Sequence, residues 1–312
     1  MARQGFRYFL RLTRRAASAY LRRDRDEYLR QRRAMAFLLL QGEAEQLTFR
    51  HAETLWTVPV GPDEIGRALF VGGSYQLPQL EALVAWLEAQ RRFPPERRFI
   101  VDVGANIGVP SIPLARRTGR RILAVEPVPK NFELLRRNVR DNRLDEQVQC
   151  VQAAVSSRPG TLTMLEHPRG GRSEVRSATG KQGFGEVTAE HRPVEVPARA
   201  LDALVAEHGI PPRDVALVWS DTQGYEGEVI RSGAGLWKSG VPLFVEIWPR
   251  GLAAHGGMDA FVSAAREHFR GLVAKEELLA QGAKAPPRPV AELVAVIGNL
   301  KRDHTDVLLL PQ

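Results

Sequence analysis

Apolar and polar residues alternate along the chain with two different periods. Phe6, Phe9, Leu10, Thr13, Ala17, Tyr20 and Leu21 recur at three- and four-residue steps, which predicts one face of a helix. Phe37 to Leu40 continues a helical pattern, and Gly42 ends or interrupts it. Thr54 to Val60 alternates apolar and polar and closes in Gly-Pro, as a strand entering a turn does. Leu80, Leu83, Val84 and Leu87 make the stripe of a helix over 79–90, and Phe93-Pro94-Pro95 stops it, because proline lacks the amide donor.

From Arg98 onward short apolar runs and helical patterns alternate. Strands are predicted over 99–103, 121–125, 148–155, 215–219 and 243–247, with extended pieces over 161–165 and 194–196. Helices are predicted over 110–117, 130–142, 201–208, 226–232 and 258–269. Two late strands, 293–297 and 306–310, close the chain. This order predicts an α/β fold: a doubly wound, mostly parallel, seven-stranded, Rossmann-like sheet covered on both faces. The late pair predicts an antiparallel edge strand, and the opening residues a helical N-terminal extension. The chain so divides into a basic amphipathic helical extension over 1–50, a strand-and-helix segment over 51–96 that packs on the core, and a domain over 97–312. Residues 167–191, rich in Gly, Ser, Arg and Glu, break the pattern and predict a long mobile substrate loop.

Charge changes this picture in one place. The net charge is +8, and residues 1–33 carry all of it, with eleven arginines against Asp24, Asp26 and Glu27. The remainder is neutral, so no basic groove runs across the whole chain. The first helix therefore fits packing on the domain with its arginines in water, docking on an anionic membrane or a partner, or, since the first 23 residues carry no acid, an organelle-targeting peptide. No apolar run reaches the roughly 18 residues that span a bilayer, and the expected location is cytoplasmic, with peripheral membrane contact through residues 1–33 as an option. The single cysteine, Cys150, excludes a disulfide within the chain and a Cys-rich zinc site, and its place in a strand pattern predicts a small buried residue.

The strongest chemical signal is Val101-Asp102-Val103-Gly104-Ala105-Asn106-Ile107-Gly108, between a strand and a helix. Gly104 predicts a tight turn with positive φ, Gly108 a close approach of ligand or backbone, and the helix start free amides aimed at a pocket. The third glycine-motif position is Asn106, which departs from Gly-x-Gly-x-x-Gly, and no Gly-Lys-Ser/Thr is present. Asp-x-Gly-x-x-x-Gly is the common first motif of S-adenosylmethionine-dependent methyltransferases. An acid beside the turn attracts that cofactor's amino group and repels pyrophosphate. Glu126, at the end of the next strand, is placed to accept both ribose hydroxyls.

These residues resemble the FkbM methyltransferases. The resemblance takes in Phe99 to Gly108, then Glu126-Pro127-x-Pro129-x-Asn131-Phe132 with Asn138 and Asn142 downstream. It continues through Ser220-Asp221-Thr222-Gln223-Gly224-Tyr225-Glu226, Gly233-Ala234 and Phe244-Val245-Glu246-Ile247, with an upstream piece from Ile65-Gly66-Arg67 to Gly73-Ser74-Tyr75. The family's block reads Lys-Ile-Asp-Val-Glu-Gly-Tyr-Glu, so Trp219-Ser220 stands for Lys-Ile and Thr222-Gln223 for Val-Glu. The resemblance implies a class I methyltransferase sheet, S-adenosylmethionine as cofactor, and methyl transfer to a hydroxyl of a small metabolite or sugar. Cofactor contacts are expected from Asp102, Gly104, Ala105, Asn106, Gly108, Glu126, Asn142, Ala154 and Asp221. Asp221, Glu246 and His255 are the candidate bases. Asp221, Glu226 and Glu246 are conceivable magnesium ligands, although no metal is expected. Arg169, Arg172 and Arg176 are placed to meet an anionic substrate. The other readings left open are a nucleic-acid methyltransferase holding phosphates with the basic segment, and a non-catalytic, membrane-attached cofactor-binding module.

Overall fold

The computed structural model describes residues 2–61, 64–166, 173–177, 182–185, 187–188, 191–299 and 303–311, with the backbone alone for residues 2–4 and 6. The residues divide by their contacts into two units, with the main boundary between Tyr75 and Gln76. Among the described residues, no helix is long and apolar enough to cross a membrane.

The first unit opens with helices α1 (Ala2–Leu21) and α2 (Arg25–Leu40). Asp24 starts α2 by accepting the Glu27 amide at 3.1 Å, one of the orphan donors of a helix start. Strands β1 (Gln46–His51) and β2 (Thr54–Pro59) pair antiparallel, and α3 (Glu64–Gly72) follows. Residues 46–51 are therefore a strand, where the helical extension was expected to run to residue 50. Phe70 of α3 ties the layers together, 6.0 Å from the Phe37 ring and 5.0 Å from Phe49.

In α1 the residues that bury are Leu12, Ala16 and Ala19. The stripe read from the sequence mostly does not pack: Leu10 is 40% exposed, Tyr20 69% and Leu21 81%, with Ala17 also exposed. Phe9 and Thr13 are half-buried, and the Phe6 side chain lies outside the described residues.

The second unit begins with α4 (Leu77–Ala89). A run of parallel strands and helices follows: β3 (Phe99–Val103), α5 (Ser111–Thr118), β4 (Arg121–Val125), α6 (Pro129–Asp141) and β5 (Val148–Val151). The chain then leaves this sheet. Strands β6 (Ala154–Val155), β7 (Gly160–Glu166), β8 (Glu174–Val175) and β9 (Arg192–Arg199) form a second, four-stranded sheet in the order β6-β9-β7-β8. Helix α7 (Leu201–Glu207) leads back to β10 (Val215–Ser220), α8 (Glu226–Ser232), α9 (Ala234–Lys238) and β11 (Leu243–Ile247). The remainder is α10 (Pro249–Ala254), α11 (Gly257–His268), β12 (Gly271–Ala274), α12 (Lys275–Gln281), β13 (Arg288–Pro289), α13 (Leu293–Gly298) and β14 (Thr305–Leu310).

The main sheet has eight strands, ordered β13-β12-β14-β11-β10-β3-β4-β5. Five neighbours, β11 to β5, run parallel, and β14 is antiparallel to both β11 and β12. The expectation of seven strands is corrected by the two-residue β13, and the antiparallel β14 lies inside the sheet rather than at its edge. Residues 293–297 are helical, because Leu293, Val296 and Ile297, at i, i+3 and i+4, share the face that packs on the core. The expected single strand over 148–155 is two strands in two sheets. Within the expected loop over 167–191, Glu174 and Val175 are a buried strand, while 167–172 and 178–181 lie outside the described residues.

Every residue of β10, Val-Ala-Leu-Val-Trp-Ser, is buried, as a central strand covered on both faces requires. Trp219 packs on Phe244 of the neighbouring strand with ring centroids 4.5 Å apart. Trp219→Ala should cost about 3–5 kcal/mol in denaturant unfolding. A loss below about 1 kcal/mol would show that the indole does not sit in this core.

Candidate active site

Two loops at the carboxyl ends of β3 and β10 meet through their backbones. Asp221 donates its amide to the Val103 carbonyl at 2.9 Å, continuing the β3–β10 register of Val103 with Ser220. Gly104 follows Val103 with φ +82°, and a Cβ there would stand 2.0 Å from the Asp221 carbonyl oxygen. Only glycine fits, for its conformation and for this approach.

The turn then satisfies its own amides. Gly104 and Ala105 both donate to the Val125 carbonyl, Asn106 to Glu126 Oε2 at 2.8 Å, Ile107 to Asn106 Oδ1, and Gly108 to the Ala105 carbonyl. In α5, Ile112 bonds back to Gly108 and Leu114 to Pro110. The expected fan of free helix-start amides is thus absent from these positions, and nothing in this turn makes an anion-binding nest. Gly108, at φ +95°, has a packing reason: a Cβ would meet Leu135 at 3.1 Å and Ile112 at 3.3 Å. Its close neighbours are these side chains.

Acids face this turn. Asp102 is fully buried; its Oδ2 accepts the Ser111 hydroxyl, and its Oδ1 has no hydrogen-bond partner. Glu126 is 4% exposed. Its Oε1 accepts the Val128 amide at 2.9 Å and, more loosely, Asn131 at 3.4 Å, while Oε2 accepts Asn106 alone. One acceptor direction at Oε2 stays open. Burial pushes both carboxyls up to about 7, with the Asp221 charge adding to each. Asn138, buried in α6, donates to the Ile107 carbonyl at 2.9 Å and anchors the turn from the other side.

Ala154 is buried in an apolar cluster with Val128, the residue two after Glu126. Asn142 is elsewhere. It caps the far end of α6, accepting Arg116 at 2.9 Å and donating to the Asn138 carbonyl at 2.7 Å. The thirteen residues of α6 span about 20 Å, so Asn142 lies a helix length from the Glu126 turn.

The second loop is organised by Glu226. This fully buried carboxylate uses one oxygen to accept the Thr222 amide, the Thr222 hydroxyl and the Gly224 amide, each at 3.1 Å. Burial raises it to about 7. Gly224, at φ +101°, crosses the start of α10 so closely that a Cβ would sit 2.3 Å from the Gly251 backbone. Gln223, in the left-handed region at φ +55°, donates its amide to Asp221 Oδ1 at 2.6 Å and to Glu246 Oε2 at 2.9 Å. Gln76, also left-handed at φ +60°, reaches Asp221 Oδ2 at 3.4 Å. Non-glycine residues in this region mark strain held by surrounding structure, and Asn106, at φ +52°, is a third. Glu246 lies within hydrogen-bonding reach of Asp221. Burial and then the Asp221 charge hold its carboxyl well above the usual range. On the adjacent strand Asp306 is paired with Lys275.

The structure therefore brings Asp221 and Glu246 together, bridged by Gln223. His255 is half-buried rather than an exposed loop residue, edge-on to Tyr225 at 5.2 Å. Burial lowers its pKa, and Nε2 has no hydrogen-bond partner. Tyr225 reaches Ser156 of the second sheet at 3.4 Å. Arg176 is exposed, and Arg169 and Arg172 lie outside the described residues. Burial pushes the Cys150 thiol up to about 11, which argues against a nucleophile. Among the described residues, no group of three or more His, Cys, Asp or Glu is arranged to hold a metal ion. Gln76 and Ser111 are residues of this arrangement that sequence reasoning missed, and Gln223 stood there only as the replacement for the family's glutamate. Ser111 had a signal, a hydroxyl at the helix start after an acid; Gln76 had none.

Residues 102–268 match the family model described as "Methyltransferase FkbM domain". The chain is 31% identical over 180 residues to "Methyltransferase sdnD" of Sordaria araneosa, covering 51% of this chain and 70% of that protein. Among solved structures it is similar to P. horikoshii TYW2 in complex with MeSAdo, at 12% identity and TM-score 0.39, covering 85% of this chain and 70% of that one. It is also similar to an O-methyltransferase from Bacillus cereus in complex with SAH, at 12% identity and TM-score 0.36, covering 77% and 82%. The protein is a methyltransferase. It belongs to the FkbM methyltransferase family.

Asp102, Glu126 and Glu226 give two predictions. Unfolded, they ionise in the ordinary carboxylate range; folded, they ionise near 7. Between those limits the folded chain holds more protons, so stability is lost as pH rises toward 7 and beyond. Ligand-free protein should melt at a lower temperature at about pH 8 than at about pH 6, and the opposite order would refute the raised values. Glu226→Ala should cost roughly 3 kcal/mol, because three donors lose their acceptor; an unchanged denaturation midpoint would show that the loop holds without it.

Proposed function

We propose that this methyltransferase takes its methyl group from S-adenosylmethionine and delivers it to a hydroxyl of a small metabolite or sugar. The observation that carries the donor is the pairing of a turn with no spare amides and a buried carboxylate oxygen, Asp102 Oδ1, with no partner. Such a pocket is made for a cationic ligand. The residues fit this one: Asp102 for the amino group, Glu126 Oε2 for a ribose hydroxyl, Gly104 to Asn106 beneath them, and Ala154 with Val128 as an apolar floor for the base. When bound, S-adenosylmethionine supplies an activated methyl group on a sulfonium.

Asp221 is the base this reading favours. Its two oxygens are held by neutral amides, from Gln223 and Gln76, which fix the carboxylate without neutralising it. Glu246 is deeply buried, and burial and then the Asp221 charge hold its carboxyl well above the usual range, so it serves Asp221 as a partner. Asp221 would take the proton of the acceptor hydroxyl as the methyl group is passed to that oxygen and the sulfonium leaves as a neutral thioether. Orientation by the surrounding loop supplies the rest of the acceleration.

Calorimetry with S-adenosylmethionine tests the donor. Binding should be measurable for the native chain and weaker by about tenfold or more in Asp102→Asn, the loss expected for one charge-assisted hydrogen bond. It should also weaken below about pH 7, where the raised carboxyls of Asp102 and Glu126 protonate. No heat with the native chain would sink the donor assignment. With labelled methyl donor and a metabolite extract, Asp221→Asn should lower turnover by about 10²–10⁴, while His255→Ala should stay within about tenfold. The opposite ranking would move the base to His255.

A further inference from the structure

We propose that α1 is a docking surface for an anionic lipid bilayer. Two stripes run side by side on its exposed face. Leu10, Ala17 and Leu21, at steps of seven and four, make an apolar edge. Arg7, Arg11, Arg14 and Ser18, at steps of four, three and four, stand beside it, with Arg15 next in line. The buried residues of α1 are Leu12, Ala16 and Ala19, while Leu10, Ala17 and Leu21 are exposed, so the unit's own packing does not cover this edge.

Charge selects the occupant's sign, and the apolar residues select its class. Arg7, Arg11, Arg14 and Arg15 are all exposed and make no ion pair among the described residues. All of the chain's net positive charge comes from residues 1–33. Of the exposed large apolar side chains among the described residues, Leu10, Tyr20, Leu21, Leu29 and Leu39 belong to α1 and α2. A nucleic acid would pair with the arginines but leave leucines in water. A bilayer surface takes both: leucine enters the acyl boundary, and arginine stems lie along it with their guanidinium groups among anionic headgroups.

The test is co-sedimentation of the full chain with vesicles at about 0.1 M salt. One set is phosphatidylcholine alone, the other an equal mixture with phosphatidylglycerol. The chain should pellet with the mixture and stay in solution with phosphatidylcholine. Arg7→Glu, Arg11→Glu and Arg14→Glu together should cut binding more than tenfold, since each basic residue near such a surface contributes about fivefold. Leu10→Asp with Leu21→Asp should also weaken it strongly. Both variants alter exposed positions, and circular dichroism melts should match the native chain. Three results would overturn the proposal: no pelleting with the anionic mixture, native-like binding by both variants, or tighter binding to single-stranded RNA that the Leu10→Asp, Leu21→Asp variant retains.

Discussion

The site depends on one backbone contact, the approach of Gly104 to the Asp221 carbonyl. It can form because β3 and β10 are neighbours in parallel register, so that Val103 and Ser220 end side by side. Two motifs distant in sequence thereby become one pocket wall. A side chain at 104 would push the loops apart by collision with backbone, and backbone cannot rotate away as a flexible side chain can. The same close approach recurs where Gly224 meets Gly251, which sets the second loop on the start of α10.

Gathering acids at such a junction raises an electrostatic problem. Asp102, Glu126, Glu226 and Glu246 are all nearly or fully buried, and the only cation paired nearby among the described residues is Lys275, on Asp306. The fold meets this with neutral donors. Ser111 serves Asp102, backbone amides serve Glu126 and Glu226, and one glutamine amide joins Asp221 to Glu246. Neutral donors lower the cost of burial but leave the carboxyls raised, which suits a pocket completed by a positively charged ligand.

Legibility followed periodicity. Strands β3, β4, β10 and β11 are mostly apolar runs bounded by turn residues, and their core could be read directly. Residues 293–297 misled because a short β-branched run fits either period, and which of its residues pack is a tertiary fact. The second sheet was hidden because β7 and β9 pair antiparallel with two of seven and four of eight residues exposed, which reads as weak alternation. In the site, Asp102, Gly104 and Glu126 were legible from spacing. Gln76 was not, since only the fold carries it to Asp221.

The departures from the family's block acquire a joint reason. Where the family has lysine, Trp219 is sealed in the sheet against Phe244, a place that would strip an ammonium of water. Where the family has glutamate, Gln223 stands between two acids. A carboxylate there would be a third negative charge with no hydrogen to offer, whereas the amide gives one to each neighbour. Losing the lysine and the glutamate together keeps the charge of the block unchanged. Asp221 is then the one carboxylate of the block left partly open to the pocket, held by amides that leave its charge intact.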